Sequence, residues 1–353
     1  MRVLVTGATG FVGSHTVRAL LAASHAVRVL VRQPEKVRRV FGAQAAHLGV
    51  VQGDVLEPAQ VRTALHGCEA VVHAAARVSL RPSDAAQVHA VNVQGSEQVL
   101  GGALREGITR LLYVSSASAL VVPGGPAVTG ASPVAEARSG YGRSKAVAER
   151  LARRLQAEGA ALAITYPAAV IGPDDPGLSE ANHGLRTLVR DLTVETSSGF
   201  QPVDVRDLAA LHRRLLERGG PGRWPAAARM LPWREMADML EEITGVHVRR
   251  LHVPGALLRG AGRLADRIRS LRELSFPLSR EGMELATRWP GVDASETTRA
   301  TGVAFRPPEA TFADALRWMV AAGHLEARHA GVLAQASASP SEGAPQRPGS
   351  DPP

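Results

Sequence analysis

The run Val3-Leu4-Val5-Thr6-Gly7-Ala8-Thr9-Gly10-Phe11-Val12-Gly13 constrains the fold of this chain more than any other stretch. Three apolar β-formers lead into a glycine-rich turn, and the turn opens onto a helical pattern through His15, Val17, Leu20 and Leu21. A strand, a tight turn and a helix in that order begin a βαβ unit. Gly7 permits the turn, Gly10 lets backbone amides approach an anion, and Gly13 lets the helix pack on the strand. With the helix N-terminus behind them, these residues form a seat for the pyrophosphate of a dinucleotide, and Thr9, Phe11 and Val12 are carried in the same turn. A ligand-free glycine turn is the alternative, and the agreement of strand, spacing and helix weighs against it.

Further short apolar runs follow at 27–31, 47–51, 70–75, 111–114 and 162–167, separated by helix-like stretches that include one over 144–158. That rhythm predicts an α/β fold, a Rossmann doubly wound parallel sheet with crossover helices, over residues 1–172. Beyond the turn-rich Gly172-Pro173-Asp174-Asp175-Pro176-Gly177, a smaller and mostly helical substrate lobe is expected over 173–330, with 202–216 returning to the core. Residues 335–353 are Ser, Pro, Ala and Gly with almost no apolar bulk, which predicts a disordered tail. The stretch 257–274 places Leu257, Ala261, Leu264, Ile268 and Leu271 at helical spacing. An amphipathic helix packed on the lobe is the first reading of that stripe, and a helix lying on a membrane surface is the second.

Composition removes several classes. In 353 residues that are 45% apolar and 21% charged there is material for a large core. No apolar run approaches the ~20 residues needed to cross a bilayer. The N-terminus enters a strand without the basic start and long apolar stretch of a secretory signal, so a cytoplasmic location is expected. Cys68 is the single cysteine, which excludes an intrachain disulfide, and the twelve histidines show no metal-ligand spacing, so no metal is proposed. The net charge of +8 raises nucleic acid as a partner, but arginines are scattered along the chain and aromatics make up only 4%. Without basic-aromatic interleaving, nucleic-acid binding is not expected.

After the second apolar run, where an acidic residue would accept hydrogen bonds from an unphosphorylated ribose, the chain places Arg32, with Lys36, Arg38 and Arg39 behind it. Guanidinium groups suit a phosphate, so NADP is favoured over NAD, with a solvated charge run as the alternative. After the third run come Asp54, whose carboxylate can face an adenine amino group or simply cap a turn, and Val55. Of 41 basic residues only Lys36 and Lys145 are lysines, and Lys145 stands four residues after Tyr141, one of three tyrosines. On a helix the pair shares a face, so the ammonium is expected to sit beneath the phenol and lower its pKa, making it a usable general acid or base. Ser116, in Val114-Ser115-Ser116-Ala117 at the end of a parallel strand, is the choice for polarising a carbonyl, ahead of Ser115 and Ser118. His73 reads as a packed histidine, and no glycine-serine elbow of a hydrolase is present.

Together the glycine motif, His73-Ala74-Ala75-Ala76, Asn92 within Val91-Asn92-Val93, Ser115-Ser116-Ala117 and Tyr141-Gly142-Arg143-Ser144-Lys145 resemble the extended short-chain dehydrogenase/reductases, which include the NAD-dependent epimerase/dehydratase family. The resemblance covers most of residues 1 to about 215, taking in Pro202-Val203-Asp204-Val205-Arg206-Asp207 as a later family marker. It implies that Ser116, Tyr141 and Lys145 form the catalytic triad, that Asn92 is mainly structural, and that Ala74, Ala75, Pro167 and Val170 lie along the cofactor. The region around Arg32 and the serine pair look closest to the dihydroflavonol-reductase-like and hydroxysteroid-dehydrogenase-like members that use NADP. Ala117-Ser118-Ala119 departs from the acidic pair of the sugar-nucleotide dehydratases, and Arg32 departs from the acidic residue usual in epimerases. The expectation is therefore an NADPH-dependent reductase of a ketone or aldehyde, with a nucleotide-sugar epimerase and a non-catalytic nucleotide-binding scaffold as alternatives. A small-molecule carbonyl or alcohol is the partner expected, and a homodimer is left open.

Overall fold

The computed structural model describes residues 1–79, 82–136, 140–269 and 280–335. Six strands fall on the six apolar runs: β1 (Arg2–Thr6), β2 (Ala26–Val31), β3 (Leu48–Gln52), β4 (Ala70–His73), β5 (Arg110–Val114) and β6 (Leu162–Pro167). Short strands β7 (Ala169–Ile171), β8 (Thr193–Glu195), β9 (Gly199–Phe200) and β10 (Pro202–Asp204) lie outside that sheet, and β11 (Gly222–Ala226) rejoins it. The seven-stranded sheet runs β11-β6-β5-β4-β1-β2-β3 and every pair is parallel. A parallel sheet is covered on both faces, which is why its central strands read as unbroken apolar runs.

Helices α1 (Phe11–Ala22), α2 (Glu35–Phe41) and α3 (Pro58–Leu65) connect the first strands, and α4 (Ala85–His89) continues through two widened π turns into α5 (Gly102–Arg105). The later helices are α6 (Gly140–Ala157), α7 (Glu180–Arg190), α8 (Val205–Arg218), α9 (Trp233–Thr244), α10 (Gly255–Arg269), α11 (Arg280–Arg288), α12 (Ser295–Thr301) and α13 (Pro308–Ala321). Alternation along β1 sends Val3 and Val5 to one face, against Val17 and Leu20 of α1 and Leu208 and Leu211 of α8. Leu4 goes to the other face, with Val61 of α3 and Ala148 and Ala152 of α6. A third apolar cluster joins Leu185 of α7, Met236 and Leu240 of α9, and Phe312 and Leu316 of α13.

Three features differ from the sequence reading. The strand β11 carries Pro225 and little alternation, so its pattern is weak; as an edge strand it tolerates a residue that lacks an N–H. Helix α6 already includes Gly140 and Tyr141, not beginning at Ser144. The stripe on α10 points outward, with Leu257 66% and Leu264 59% exposed, because the packed side is the one that carries Gly262 and Arg259. The Ile268 side chain, Leu271 and the tail beyond residue 335 lie outside the described positions. Among the described residues no helix is long and apolar enough to cross a membrane.

Candidate active site

The chain winds from β1 to β2 and β3 in one direction and from β4 to β5 and β6 in the other, so the strand order switches between β1 and β4. Ligands bind in open α/β sheets at such a switch, outside the carboxyl ends of the strands. Gly7 lies at this point with a φ of 69°, and a Cβ on it would come within 2.6 Å of the Ala74 and Ala75 backbone. A Cβ on Gly13 would come within 2.1 Å of the Gly7 oxygen. The turn is further fixed by the Gly10 N–H donating to Gly7 O at 3.0 Å, and the Ala75 N–H reaches Thr6 Oγ1 at 3.3 Å. No side chain larger than hydrogen fits at Gly7 or Gly13 without moving backbone.

In front of this turn a cavity of about 520 Å³ is walled by Thr9, Gly10 and Phe11, by the cations Arg18, Lys36 and Arg39, and by the loop 174–179. Val12 packs partly buried on the core behind it. Arg32 stands exposed past the end of β2 and outside that wall, so the cations that face the cavity come from α1 and α2. The Asp54 carboxylate accepts the Leu56 N–H at 3.1 Å and serves as a turn cap, while Val55 is buried beneath Gly95. Pro167 closes β6, and Val170 lies in β7, which pairs with β10. Asp175, which sequence reasoning passed over, is buried and takes the Ser179 N–H at 2.6 Å and the Asn182 amide at 3.0 Å, shaping the loop across the cavity. The free amides at the start of α1, the close backbone approach at Gly7 and the three cations fit the phosphates of a dinucleotide.

The other half of the site is built on α6, where Tyr141, Lys145 and Glu149 succeed one another at four-residue intervals on one face. Ser116 opens the turn after β5, and its Oγ accepts from the Ser118 amide at 3.2 Å and the Ser118 hydroxyl at 2.9 Å. The Ser116 and Ser118 hydroxyls lie near enough to the Tyr141 phenol to favour its ionised form, so the structure brings Ser116 and Tyr141 together. Lys145 is buried, donates from Nζ to Val114 O at 3.4 Å and stands 5.7 Å from the centre of the Tyr113 ring. Burial pulls its pKa down to about 8, and the negative Glu149 opposes that fall.

One expectation is overturned here. The Tyr141 pKa is raised, because desolvation outweighs the influence of the nearby Ser116 and Ser118 hydroxyls, and the Lys145 ammonium is directed at Val114 O and Tyr113 instead of the phenol.

Glu149 was not singled out from the sequence, although its spacing after Lys145 repeats that of Lys145 after Tyr141. Its fully buried carboxylate accepts from Ser115 Oγ at 2.8 Å, Tyr166 Oη at 2.6 Å and Arg153 Nε at 2.7 Å. Ser115 is thereby engaged away from the Ser116 pair. Asn92, in a widened π turn, accepts from Arg77 N at 2.8 Å and donates to Arg77 O and Ser144 Oγ, tying the loop after β4 to α6. His73 is buried between Thr6 Oγ1 at 2.7 Å and Ser96 Oγ at 3.0 Å, and burial with the nearby Lys145 lowers its pKa to about 3, so it is neutral. Among the described residues no group of three or more His, Cys, Asp or Glu is placed to hold a metal ion.

The model of the "NAD dependent epimerase/dehydratase family" matches residues 3–224. Sterol demethylase protein B of Methylococcus capsulatus is 30% identical over 328 residues, covering 90% of this chain and 98% of that protein. The 2-alkyl-3-oxoalkanoate reductase of Stenotrophomonas maltophilia is 30% identical over 263 residues, 69% of this chain and 76% of that protein. The UDP-glucose 4-epimerase of Bifidobacterium longum, solved in complex with NAD+ and UDP, shares the fold with a TM-score of 0.71 at 18% identity, over 92% of this chain and 99% of that one.

Proposed function

Since the chain belongs to the NAD dependent epimerase/dehydratase family, whose members bind NAD(P), we propose that it reduces a ketone or aldehyde to the alcohol with NADPH, reversibly. The observation that carries this reading is the convergence of the Ser116 and Ser118 hydroxyls on the Tyr141 phenol, one helical turn before the buried Lys145. A nicotinamide cofactor, when bound, supplies or accepts the hydride. Thr9, Gly10, Phe11 and Val12 would hold its pyrophosphate at the start of α1, with Ala74, Ala75, Pro167 and Val170 along it. Lys36 and Arg39 on the cavity wall, with Arg32 beside them in sequence, support a preference for the extra phosphate of NADP.

Ser116 donates a hydrogen bond to the substrate carbonyl oxygen and fixes its orientation. Tyr141 gives the proton from Oη to the same oxygen as negative charge develops there, so the charge meets donors already in place. Lys145 keeps a positive charge beneath this edge of the sheet, and Glu149 holds that charge within reach of neutral pH. No acidic pair follows Ser116, in Ala117-Ser118-Ala119, which speaks against dehydration. The Stenotrophomonas relative, a reductase by name, supports the same reaction class.

A panel of ketones and aldehydes assayed with NADPH tests the proposal through the reduced-nicotinamide absorbance. Net loss of that absorbance with at least one carbonyl is expected. Turnover of a nucleotide sugar with no net change would make the chain an epimerase, and uptake of cofactor without turnover of either kind would make it a binding protein.

A further inference from the structure

Among the described residues, the large apolar side chains that stand most exposed include three leucines, Leu251 at 50%, Leu257 at 66% and Leu264 at 59%, and all three fall within fourteen positions of one another. Leu257 and Leu264 are seven residues apart on α10 and share a face, with exposed Gly260 and Ala261 between them. The opposite side of the helix is the packed one, where Gly262 is buried and Arg259 Nη1 reaches Thr287 Oγ1 of α11 at 3.1 Å. From residue 245 to the end of α10 at residue 269 the chain has six arginines, Arg249, Arg250, Arg259, Arg263, Arg267 and Arg269, against one acidic residue, Asp266. Arg250 is paired with Asp238 and Glu241 of α9, whereas Arg263, next to Leu264 on α10, and Arg249, two residues before Leu251, are exposed.

From this arrangement we propose that α10 is a docking face for the surface of an anionic lipid bilayer, with Leu257 and Leu264 entering the acyl boundary and Arg249 and Arg263 lying among the headgroups. An apolar stripe bordered by cations is the pattern of helices that lie in the plane of an interface. Charge decides between the occupants. A second copy seated symmetrically on this face would bring arginines against arginines, and a negative surface turns the same groups into attraction. The chain's own end is excluded by composition, since residues 336–353 contain no Leu, Ile, Val, Phe or Met with which to cover the stripe.

The position of the face adds to its meaning. The neighbouring α11 hydrogen-bonds through Arg288 O to the Gly124 amide, and its Leu285 packs on the cluster that holds Ala117, Ala119 and Leu120. Docking would therefore bring the loop that begins at Ser116 close to the lipid, where an apolar substrate is concentrated.

Co-sedimentation of the full chain with unilamellar vesicles, of phosphatidylcholine alone and of phosphatidylcholine with phosphatidylglycerol, tests the proposal. Binding to the anionic vesicles, weak binding to the neutral ones and release by salt are expected. The double change Leu257→Glu and Leu264→Glu should lower the anionic-vesicle partition about tenfold or more. Arg249→Glu with Arg263→Glu should lower it by about fivefold per site, since each basic group near such a surface contributes about that factor. Both variants should keep the circular dichroism and cofactor affinity of the parent. Failure to bind anionic vesicles, or binding unaffected by both pairs of changes, overturns the proposal. A dimer in light scattering that the leucine changes dissociate would give the face to a second copy and overturn it as well.

Discussion

The two halves of the candidate site are made of different material. Around Gly7, Gly10 and Gly13 the site is backbone, and what matters is the absence of side chains, whose Cβ would come within 2.6 Å of neighbouring main chain at Gly7, 2.1 Å at Gly13 and 3.3 Å at Gly10. On α6 the site is side chains, the partly buried Tyr141 and the buried Lys145 and Glu149, and what matters is charge removed from water and then compensated. A site made of backbone fails by collision and fails completely. A site made of buried charge fails by degrees, and its failure depends on pH. Substitutions in the two halves should therefore leave different marks on cofactor binding and turnover.

Gly13→Val should have the largest effect. Its side chain meets Gly7 O and the Ala8 backbone, overpacking worth about 3 kcal/mol or more, so cofactor affinity should fall by about a hundredfold or beyond detection in a fluorescence titration. Retained affinity would show that the turn has slack and would break the contrast. Ser116→Ala should lower kcat by about a hundredfold and leave NADPH affinity close to that of the parent, because only a donor to developing negative charge is lost. Steady-state kinetics beside the titration separates the two quantities. Lys36→Glu with Arg39→Glu should reduce the ratio of NADPH to NADH affinity by about tenfold or more and spare NADH binding. Equal losses for both cofactors would assign these cations to the pyrophosphate.

Glu149→Gln should give the smallest change at neutral pH and the clearest pH signature. The Lys145 pKa is depressed to about 8 by burial, so activity that needs the ammonium is full below that value and falls as pH rises through it. Removing the carboxylate removes the influence that raises this pKa, and the alkaline limb of the kcat/KM profile should move to lower pH, by roughly one unit. A merely structural Glu149 would lower the plateau without moving the limb.

The backbone half was the more legible in the sequence because its requirement is written one residue at a time: a glycine where no Cβ fits. Six strands of the sheet were legible for a related reason, since a strand buried on both faces must be apolar throughout. The strand Gly222–Ala226 escaped because it is short, lies at the edge and depends on its neighbour β6 for pairing. Tyr141 and Lys145 stood out through spacing and the scarcity of lysine, but the environment that sets their pKa values is tertiary. Arg153 reaches Glu149 from one turn further along α6, but Ser115 after β5 and Tyr166 in β6 come from other parts of the chain, and only the fold brings them to this carboxylate. The same holds for α10, whose periodicity marked a stripe without saying which side of the helix would pack.

The central claim is that the α6 half performs proton transfer to a carbonyl while the glycine half holds the cofactor. Titration of the Tyr141→Phe variant with NADPH, paired with its turnover of a carbonyl substrate, tests it most directly. The account predicts affinity within about twofold of the parent and turnover lower by about a thousandfold or more, the loss of a positioned general acid. Turnover near that of the parent would contradict it, and loss of NADPH binding together with turnover would show that the two halves are not separate.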